Sequence, residues 1–235
     1  MNRITLMLIR NFWRVPGAYW KLCHYAKHTD EYQEEVKYRH IQYIFRQAVK
    51  SGNIDLKIYG KENIPTENGF LLYANHQGLF DILAIVASCD SPIGVVLKKE
   101  LAHIPMIKQL VECSFSFPMN REDVRQSMEV IQSVSKEIKK GRNYLIFPEG
   151  TRSKKGNCLL EFHSGSFKCA IKTKCPVLLV ALIDSYKAFD RKGIGHIEVQ
   201  VHYLKPIYYE EYKDLKTSGI ATLVRDRIEA VISQN

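Results

Sequence analysis

A histidine and an aspartate lie five positions apart in residues 76–81, and this pair has the chemistry to activate a hydroxyl group. The apolar run 70–74 predicts a buried strand, and residues 79–89 predict the helix that follows it. His76 then lies in the turn and Asp81 in the first turn of the helix. An Asp that accepts a hydrogen bond from one ring nitrogen leaves the other nitrogen free to take a proton from a substrate alcohol. The alternative is a satisfied loop histidine beside an Asp that complements the helix dipole.

A second group of polar residues follows the strand-like run 144–147. In open α/β sheets, ligands bind at the carboxyl ends of the strands, which is where this loop is expected to lie. The planar guanidinium of Arg152 suits bidentate phosphate recognition, Gly150 gives the loop flexibility, and Glu149 is able to accept hydrogen bonds from a polyol. The loop therefore predicts a binding site for a phosphorylated, hydroxylated substrate.

Other basic residues also follow predicted strands. Lys98 and Lys99 end one strand-like run, and Arg121 follows another. Together with Arg152 they are expected to surround one anionic group next to the turn that contains His76. Taken singly, each of these basic residues is more simply explained as a solvated surface charge.

The order and spacing of these segments resemble the 1-acylglycerol-3-phosphate acyltransferase family, also called lysophosphatidic acid acyltransferases, among the glycerolipid acyltransferases. The family's Asn-His motif, with an Asp after four further residues, is matched by Asn75, His76 and Asp81. Its Phe-Pro-Glu-Gly-Thr-Arg-Ser motif is matched without change by residues 147–153. The resemblance extends from about residue 60 to residue 185, which is over half of the chain.

Two further motifs of the family are present, with small departures. The family's Lys-rich strand end with Glu-Leu, its Ile-Pro and its later Arg are matched by residues 98–101, residues 104–105 and Arg121. Its strand led by a proline falls on residues 176–180. Gly78 stands where the family usually has Ser. Lys108 stands where a Gly commonly follows Ile-Pro, and residues 118–121 replace the more usual Ile-Asp-Arg. These three departures leave open which phosphorylated or otherwise anionic lysolipid is the acceptor.

The resemblance implies transfer of a fatty acyl group from an acyl thioester to the free hydroxyl of 1-acyl-sn-glycerol-3-phosphate, giving phosphatidic acid in phospholipid biosynthesis. The donor is a thioester of acyl carrier protein or of coenzyme A, and no metal or further cofactor is implied. In that reaction His76 is the general base and Asp81 supports the imidazolium. The substrate-binding residues that the resemblance implies are Lys98, Lys99, Arg121, Glu149, Gly150, Thr151 and Arg152.

The net charge indicates which classes of partner the protein binds, and the cysteines indicate its redox compartment. The 235 residues carry a formal net charge of +9, with a pI of about 9.2, which favours an acidic partner. An anionic membrane surface and an acyl carrier protein fit, whereas the sequence has no arginine-rich tract or RNA-recognition signature that favours nucleic acid. The six cysteines show no Cys-x-x-Cys or metal-ligand spacing, which indicates a reducing compartment and argues against a zinc site.

The first 28 residues carry five Lys or Arg, no acidic residue and both tryptophans of the chain. On a helix, one face carries Arg3, Arg10, Arg14 and Lys21. A basic stripe opposite an aromatic and aliphatic face is typical of a helix that lies in a membrane interface. The predicted interface residues are Phe12, Trp13, Tyr19 and Trp20. The alternative is an ordinary helix docked on the domain.

The apolar run 4–9 is too short to cross a bilayer, and no cleavage site for secretion follows it. A peripheral protein at the cytoplasmic face of a membrane is therefore expected, with no transmembrane span and no secretion. Pro-Gly at 16–17 is expected to break the first helix, and residues 29–50 predict a second amphipathic helix. We divide the chain into a membrane-association segment, 1–50, and an α/β acyltransferase catalytic domain, 51–235.

The rest of the chain alternates strands and helices. This predicts an α/β fold with a mixed, largely parallel sheet flanked by helices, which is what a glycerolipid acyltransferase fold requires. The predicted strands are 55–60, 70–75, 93–98, 114–118, 143–147, 176–183 and 196–204. The predicted helices after the N-terminal segment are 79–89, 100–112, 122–140, 164–174 and 217–233.

Two other classes of protein stay open. A serine hydrolase or thioesterase needs a Gly-x-Ser-x-Gly elbow, which the sequence lacks, and a metal hydrolase using His76, Asp81 and Glu149 lacks a second closely spaced His. A non-catalytic lipid-surface protein is the other alternative, since the N-terminal segment alone accounts for membrane binding.

Overall fold

A seven-stranded sheet brings the motif-bearing segments next to one another. The computed structural model describes residues 1–234. Its strands are β1 (Ile54–Tyr59), β2 (Leu71–Ala74), β3 (Ile93–Lys98), β4 (Phe117–Met119), β5 (Asn143–Ile146), β6 (Val177–Ile183) and β7 (Ile197–Tyr203). Their order in the sheet is β1-β7-β6-β2-β5-β3-β4. Neighbouring strands are parallel apart from β6 with β7, which confirms the predicted mixed, largely parallel α/β sheet.

The helices lie before, between and after the strands. They are α1 (Arg3–Arg10), α2 (Val15–Lys27), α3 (Glu34–Ser51), α4 (Phe80–Ser88), α5 (Ile107–Cys113), α6 (Val124–Lys139), α7 (Lys168–Thr173), α8 (Tyr209–Tyr212) and α9 (Thr217–Ile232). The predicted break near Pro16 is confirmed, because α1 ends before it and Pro16 lies in the first turn of α2.

The predicted helix 100–112 is wrong in its extent. The segment forms a 3-10 turn, Lys99–His103, and then α5. Pro105 stands between the two, and a proline inside a helix removes a backbone donor and clashes with the preceding turn. The backbone of Met106 is left-handed, with φ of 73°, so the helical path cannot continue through it.

Hydrophobic side chains cover both faces of the sheet. On one face, Leu72 and Ala74 of β2 belong to a core that includes residues of α3 and α4. On the other face, Leu71 and Tyr73 belong to a core that includes residues of α6, α7 and α9. Successive side chains of a strand point to opposite faces, so an uninterrupted apolar run such as that of β2 is what burial on both faces requires.

The direction of the strands defines the edge at which chemistry occurs. Since β2, β3, β4, β5 and β6 run parallel, their carboxyl ends meet at one edge of the sheet. The residues that follow these five strands at that edge include His76, Lys98, Arg121, Glu149 and Ser185. Four of these five come from the motifs described above, and Ser185 was not anticipated.

Part of the predicted basic stripe on the N-terminal segment is wrong. Arg3 is only 4% exposed, and its guanidinium donates to the carbonyl oxygens of Ala188, Gly52 and Gly195. Arg10 donates to the carbonyl oxygen of Ser51 and to the side chain of Asn53. Arg3 is therefore buried between α1 and the rest of the protein, where its donors satisfy carbonyl groups, whereas Arg10 stays exposed.

The aromatic residues of the same segment lie on the surface. Phe12, Trp13 and Trp20 are 67%, 62% and 70% exposed, and Tyr19 is exposed as well. Large aromatic side chains rarely stay this open unless a partner covers them. Among the helices of residues 1–234, none combines the length and the apolar character that crossing a bilayer demands.

Candidate active site

His76 and Asp81 form the hydrogen-bonded pair that the sequence predicted. The Nδ1 atom of His76 lies 2.7 Å from the Oδ2 atom of Asp81. The imidazole follows β2 and is 13% exposed, while Asp81, in the first turn of α4, is fully buried. Phe147 stacks on the imidazole with ring centroids 4.1 Å apart. With Nδ1 held by the carboxylate, Nε2 is the ring nitrogen that is able to act as a base.

The carboxylate of Asp81 is fixed from several directions. Its Oδ2 atom also accepts the backbone N–H groups of Gln77 and Gly78, at 2.6 and 3.0 Å. Its Oδ1 atom accepts the hydroxyl of Ser185, which is itself fully buried. A carboxylate with this many donors has one orientation, so it fixes the tautomer and the plane of the imidazole that it contacts.

Glu149 lies beneath the histidine and holds the two motif loops together. Its Oε1 atom accepts the backbone N–H of His76 at 2.7 Å, and its Oε2 atom accepts the backbone N–H of Leu160 at 3.0 Å. Burial raises the pKa of the Glu149 carboxyl above its usual range, while these two hydrogen bonds act in the opposite direction. Since both oxygens already accept a backbone donor, the geometry favours a positioning role over the glycerol contact predicted from the sequence.

Gly150 is required by the turn in which it lies. Its φ of +69° belongs to the left-handed region, and an added Cβ would lie 2.9 Å from the ring of His163. The loop also donates the N–H of Ser153 to the carbonyl oxygen of His76, at 2.7 Å. Thr151 and Arg152, at the tip between these two residues, are exposed. The loop after β5 thus crosses the end of β2 and presents Arg152 beside the His76 turn.

A network of polar side chains that sequence reasoning missed joins the His76 turn to the end of β6. Gln77 accepts the backbone N–H of Ser185 at 2.9 Å and donates to Asn157 at 2.8 Å. Asn157 in turn accepts the backbone N–H of Asp184 at 2.8 Å. Asn75 continues the ladder between β2 and β6 with its side chain, which bonds both the N–H and the C=O of Leu182. No local pattern predicts such contacts, because they join residues from 27 to 108 positions apart.

The hydroxyl of Ser185 is expected to help catalysis by positioning Asp81. Ser185→Ala removes one donor to the buried carboxylate and leaves those of His76, Gln77 and Gly78, so we expect turnover to fall about fivefold to tenfold, which corresponds to roughly 1–1.4 kcal/mol. The KM for the acceptor should stay unchanged. Steady-state kinetics at several pH values would check this. Ser135→Ala, a buried serine on α6 that bonds Ile131 and Cys169, is the matched control. Equal effects of both substitutions would contradict the positioning role.

The basic residues that the sequence predicted as ligands of one anion lie at the ends of three different strands. A cleft of about 320 Å³ lies next to the His76 turn, and Gln77, Arg152 and Lys154 contribute to its lining together with Tyr186 and Asp190. Lys98, Lys99 and Arg121 are exposed but belong to the ends of β3 and β4. Those strands are two and three places from β2, which corresponds to roughly 10 and 14 Å at the usual spacing of strands. Arg152 thus follows the strand next to β2, whereas Lys98, Lys99 and Arg121 belong to the next two strands, and their convergence on one anion stays a prediction.

Three buried cysteines are poor nucleophiles. Burial raises the pKa of the Cys89 and Cys169 thiols to about 12 and that of Cys113 to about 11, so all three stay protonated near neutral pH. Within residues 1–234, no group of three or more His, Cys, Asp or Glu side chains has the arrangement of a metal site. The hydrogen-bonded pair of His76 and Asp81 has the side chains of acid–base chemistry on a hydroxyl.

An α/β sheet with a His–Asp pair at the carboxyl edge and a basic loop beside it defines an acyltransferase fold and site. The acyltransferase family matches residues 55–183, and the chain belongs to that family. It is 27% identical over 177 residues to a 1-acyl-sn-glycerol-3-phosphate acyltransferase of Borreliella burgdorferi, covering 74% of this chain and 70% of that protein. It is 28% identical over 184 residues to the protein of that name from Saccharomyces cerevisiae, covering 74% of this chain and 59% of that protein.

The fold is also that of a solved structure. The crystal structure of the 1-acyl-sn-glycerophosphate (LPA) acyltransferase PlsC from Thermotoga maritima superimposes with a TM-score of 0.77. The superposition covers 99% of this chain and 96% of that chain, at 20% sequence identity. At this identity the likeness establishes the fold, which includes the N-terminal helices as well as the sheet.

Proposed function

We propose that the protein is a 1-acylglycerol-3-phosphate O-acyltransferase. It transfers a fatty acyl group from an acyl thioester to the free hydroxyl of 1-acyl-sn-glycerol-3-phosphate, and the product is phosphatidic acid. The observation that carries this proposal is the hydrogen-bonded pair of His76 and Asp81 at the carboxyl edge of the sheet, beside Arg152. The names of the relatives supply the acceptor and the reaction.

The chemistry follows from the geometry of the pair. Nε2 of His76 takes the proton of the acceptor hydroxyl, and the oxygen attacks the thioester carbonyl carbon. The negative carboxylate of Asp81 stabilises the imidazolium that this step creates. When the carbon–sulfur bond breaks, the thiolate leaves with the proton from the imidazolium. The products are an ester and a free thiol, and the reaction needs no acyl-enzyme intermediate because the acceptor hydroxyl is itself the activated nucleophile.

Arg152 is the best candidate for the phosphate of the acceptor, with Lys154 beside it in the cleft. Lys98, Lys99 and Arg121, at the neighbouring strand ends, stay predicted ligands of an anionic substrate group. The donor is a thioester of acyl carrier protein or of coenzyme A. Thiol release and lipid product, measured together with lysophosphatidic acid and each donor, test the function. Thiol release without acceptor indicates a thioesterase instead, and the absence of release indicates a lipid-binding protein.

Replacing Arg152 is expected to weaken acceptor binding without disturbing the fold. The Arg152 side chain is exposed, so Arg152→Gln should leave the melting temperature unchanged. Loss of a bidentate charged contact should raise the KM for lysophosphatidic acid about tenfold to a hundredfold, whereas the KM for the donor should change little. Arg125→Gln is the control, because Arg125 lies on the surface of α6. A rise in the KM of the donor alone would assign Arg152 to the other substrate.

We propose further that the protein is peripheral, on the cytoplasmic face of an anionic membrane, and that α1 and α2 form the contact. Four exposed aromatic side chains support this, namely Phe12, Trp13, Tyr19 and Trp20. In this proposal residues 1–50 serve association and residues 51–235 serve catalysis. The two segments differ in role but are not separate folding units, because Tyr38 and Phe45 of α3 belong to the same hydrophobic core as residues of the sheet.

Removing the two tryptophans should release the protein from lipid vesicles. Trp13→Ser combined with Trp20→Ser takes away two large exposed rings, and we expect vesicle partitioning to weaken at least about tenfold. Co-sedimentation with vesicles containing anionic lipid measures it. Val124→Ser combined with Met128→Ser is the control, because those apolar side chains of α6 are also exposed. If both double variants sediment like the parent, the aromatic residues of α1 and α2 are not the membrane contact.

A further inference from the structure

A second groove lies between α2 and α3, and it shares no lining residue with the cleft beside His76. Its volume is about 670 Å³, which is within the range of ligand sites. Three Lys or Arg side chains line it, namely Arg14, which directly precedes α2, Lys21 of α2 and Arg39 of α3, together with His40 of α3. The mechanism proposed above uses none of these residues.

The positive charges of the groove are uncompensated. Within residues 1–234, no carboxylate lies within 4.0 Å of Arg14, Lys21 or Arg39, and the lining contains no acidic residue. Glu34, at the start of α3, is already paired with Arg142 at 2.9 Å. Convergent cations repel one another, so a bound anion would relieve that repulsion.

Aromatic rings hold two of the cations in place. The guanidinium of Arg14 lies 5.6 Å from the ring centroid of Trp13, and the Nζ atom of Lys21 lies 5.5 Å from that of Tyr25. Trp13 lines the groove and is also one of the exposed aromatic residues. The mouth of the groove therefore lies at the surface that we assign to the membrane, where tryptophan rings occupy the headgroup level.

We propose that this groove binds the phosphate headgroup of an anionic membrane phospholipid, as a site additional to the acceptor site. The proposal rests on the proposed membrane contact of α1 and α2. It adds a defined, saturable binding site for one lipid to the general attraction between a basic protein and an anionic membrane. Arginine side chains suit a phosphate, and the aromatic rim suits the glycerol and the start of the acyl chains. The groove lies between two helices, so a bound lipid would contact both.

The connection between α2 and α3 gives the groove its shape. The Nε2 atom of His40 donates to the carbonyl oxygen of Ala18 at 2.9 Å, which joins the two walls. Gly17 lies between them, and a Cβ atom added there would meet nothing within 4 Å. The backbone of Gly17 is helical, so a larger residue is tolerated there and fills the groove without changing its charge.

Trp13 supplies a local reporter for the experiment. In a Trp20→Phe protein, Trp13 is the remaining tryptophan of the chain. Titration with dihexanoyl phosphatidic acid below its micellar concentration should give a saturable change in Trp13 emission. Inorganic phosphate and dihexanoyl phosphatidylcholine, titrated in the same way, should bind at least about tenfold more weakly.

Two kinds of variant separate a defined site from general attraction to a surface. Lys21→Gln with Arg39→Gln removes two charges, and Gly17→Gln removes none but blocks the groove. Each should weaken lipid binding at least about tenfold. The matched controls should bind like the parent. They are Lys136→Gln with Lys139→Gln, at exposed lysines of α6, and Gly165→Gln, at an exposed glycine with open space around it.

Each other result overturns the proposal. If Gly17→Gln binds like the parent, the groove is not the site. If inorganic phosphate binds as tightly as the lipid, the groove is an adventitious anion site. If dihexanoyl phosphatidylcholine binds as tightly as dihexanoyl phosphatidic acid, the basic side chains of the groove do not contribute to lipid binding. Acyl transfer and vesicle sedimentation of the same preparations are read separately. If the protein transfers acyl groups but Trp13 emission does not change with lipid, the proposed lipid site is refuted and the proposed activity is not. If the parent protein transfers no acyl group, the proposed activity is refuted and the lipid site is judged from the Trp13 titration.

Discussion

His76→Ala is expected to reduce acyl transfer about a thousandfold to ten-thousandfold, because the acceptor hydroxyl loses the base that takes its proton. The loss should fall on kcat and on kcat/KM alike, since the imidazole acts on the reacting atom in the transition state. Thiol release and lipid product, measured with saturating lysophosphatidic acid, check it. The substitution removes a ring that stacks on Phe147 but leaves the backbone contact of His76 with Glu149, so the fold should persist.

His163→Ala is the matched control for this experiment. His163 lies near the same loop, with its ring against Gly150, yet it is exposed, and among residues 1–234 no carboxylate lies within 4.0 Å of it. We expect its removal to change turnover less than about threefold. If His163→Ala abolishes transfer and His76→Ala retains more than about a tenth of it, the assignment of the base is wrong.

The strands were predictable because the physics that forms them is local. Runs such as 70–75 and 176–183 are apolar and of strand length, and each appears within a residue or two of its predicted position. The His–Asp pair was predictable for the same reason, since one strand-to-helix turn contains both residues. Parallel strands then bring their carboxyl ends to one edge, so the motif loops had to be neighbours.

Features that depend on distant partners were not predictable. Ser185 and Asn157 sit in polar stretches with no pattern of their own, and they acquire a role only when β6 lies beside β2. Arg3 shows the opposite case. Its helical spacing suggested a membrane face, but carbonyl oxygens of Ala188 and Gly195, far along the chain, take its donors. Helical periodicity states which face a residue occupies and not what the face contacts.

The predicted ring of four basic residues stays a prediction, because it also depends on distant parts of the chain. Sequence reasoning placed each of them after a strand, which is correct, but the order of the strands decides their separation. Since β5 lies between β2 and β3, Lys98 and Arg121 belong to strand ends that are two and three places from β2. Arg152 remains beside His76 because its loop crosses the end of β2, through the bond from Ser153. The sequence alone does not give the strand order, and so it does not show which basic residue lies next to His76.

Asp81→Asn is expected to lower turnover about a hundredfold while preserving the fold. The backbone N–H groups of Gln77 and Gly78 require an acceptor, so the amide oxygen of Asn should take the place of Oδ2, which leaves the amide nitrogen facing Ser185. The imidazole then keeps its tautomer, and what disappears is the negative charge that stabilises the imidazolium. About 3 kcal/mol of transition-state stabilisation corresponds to the expected hundredfold loss.

Asp81→Ala is the informative comparison for that result. It leaves the donors of Gln77, Gly78 and Ser185 without an acceptor in a fully buried place, and each such group costs about 1–3 kcal/mol. Thermal unfolding should therefore show a lower melting temperature for Asp81→Ala than for Asp81→Asn. If Asp81→Asn transfers acyl groups at the parent rate, the carboxylate is a structural cap of the turn rather than a support for the imidazolium. If Asp81→Asn unfolds as readily as Asp81→Ala, the amide has not taken the orientation that the backbone donors require, and its loss of turnover reports on packing instead of charge.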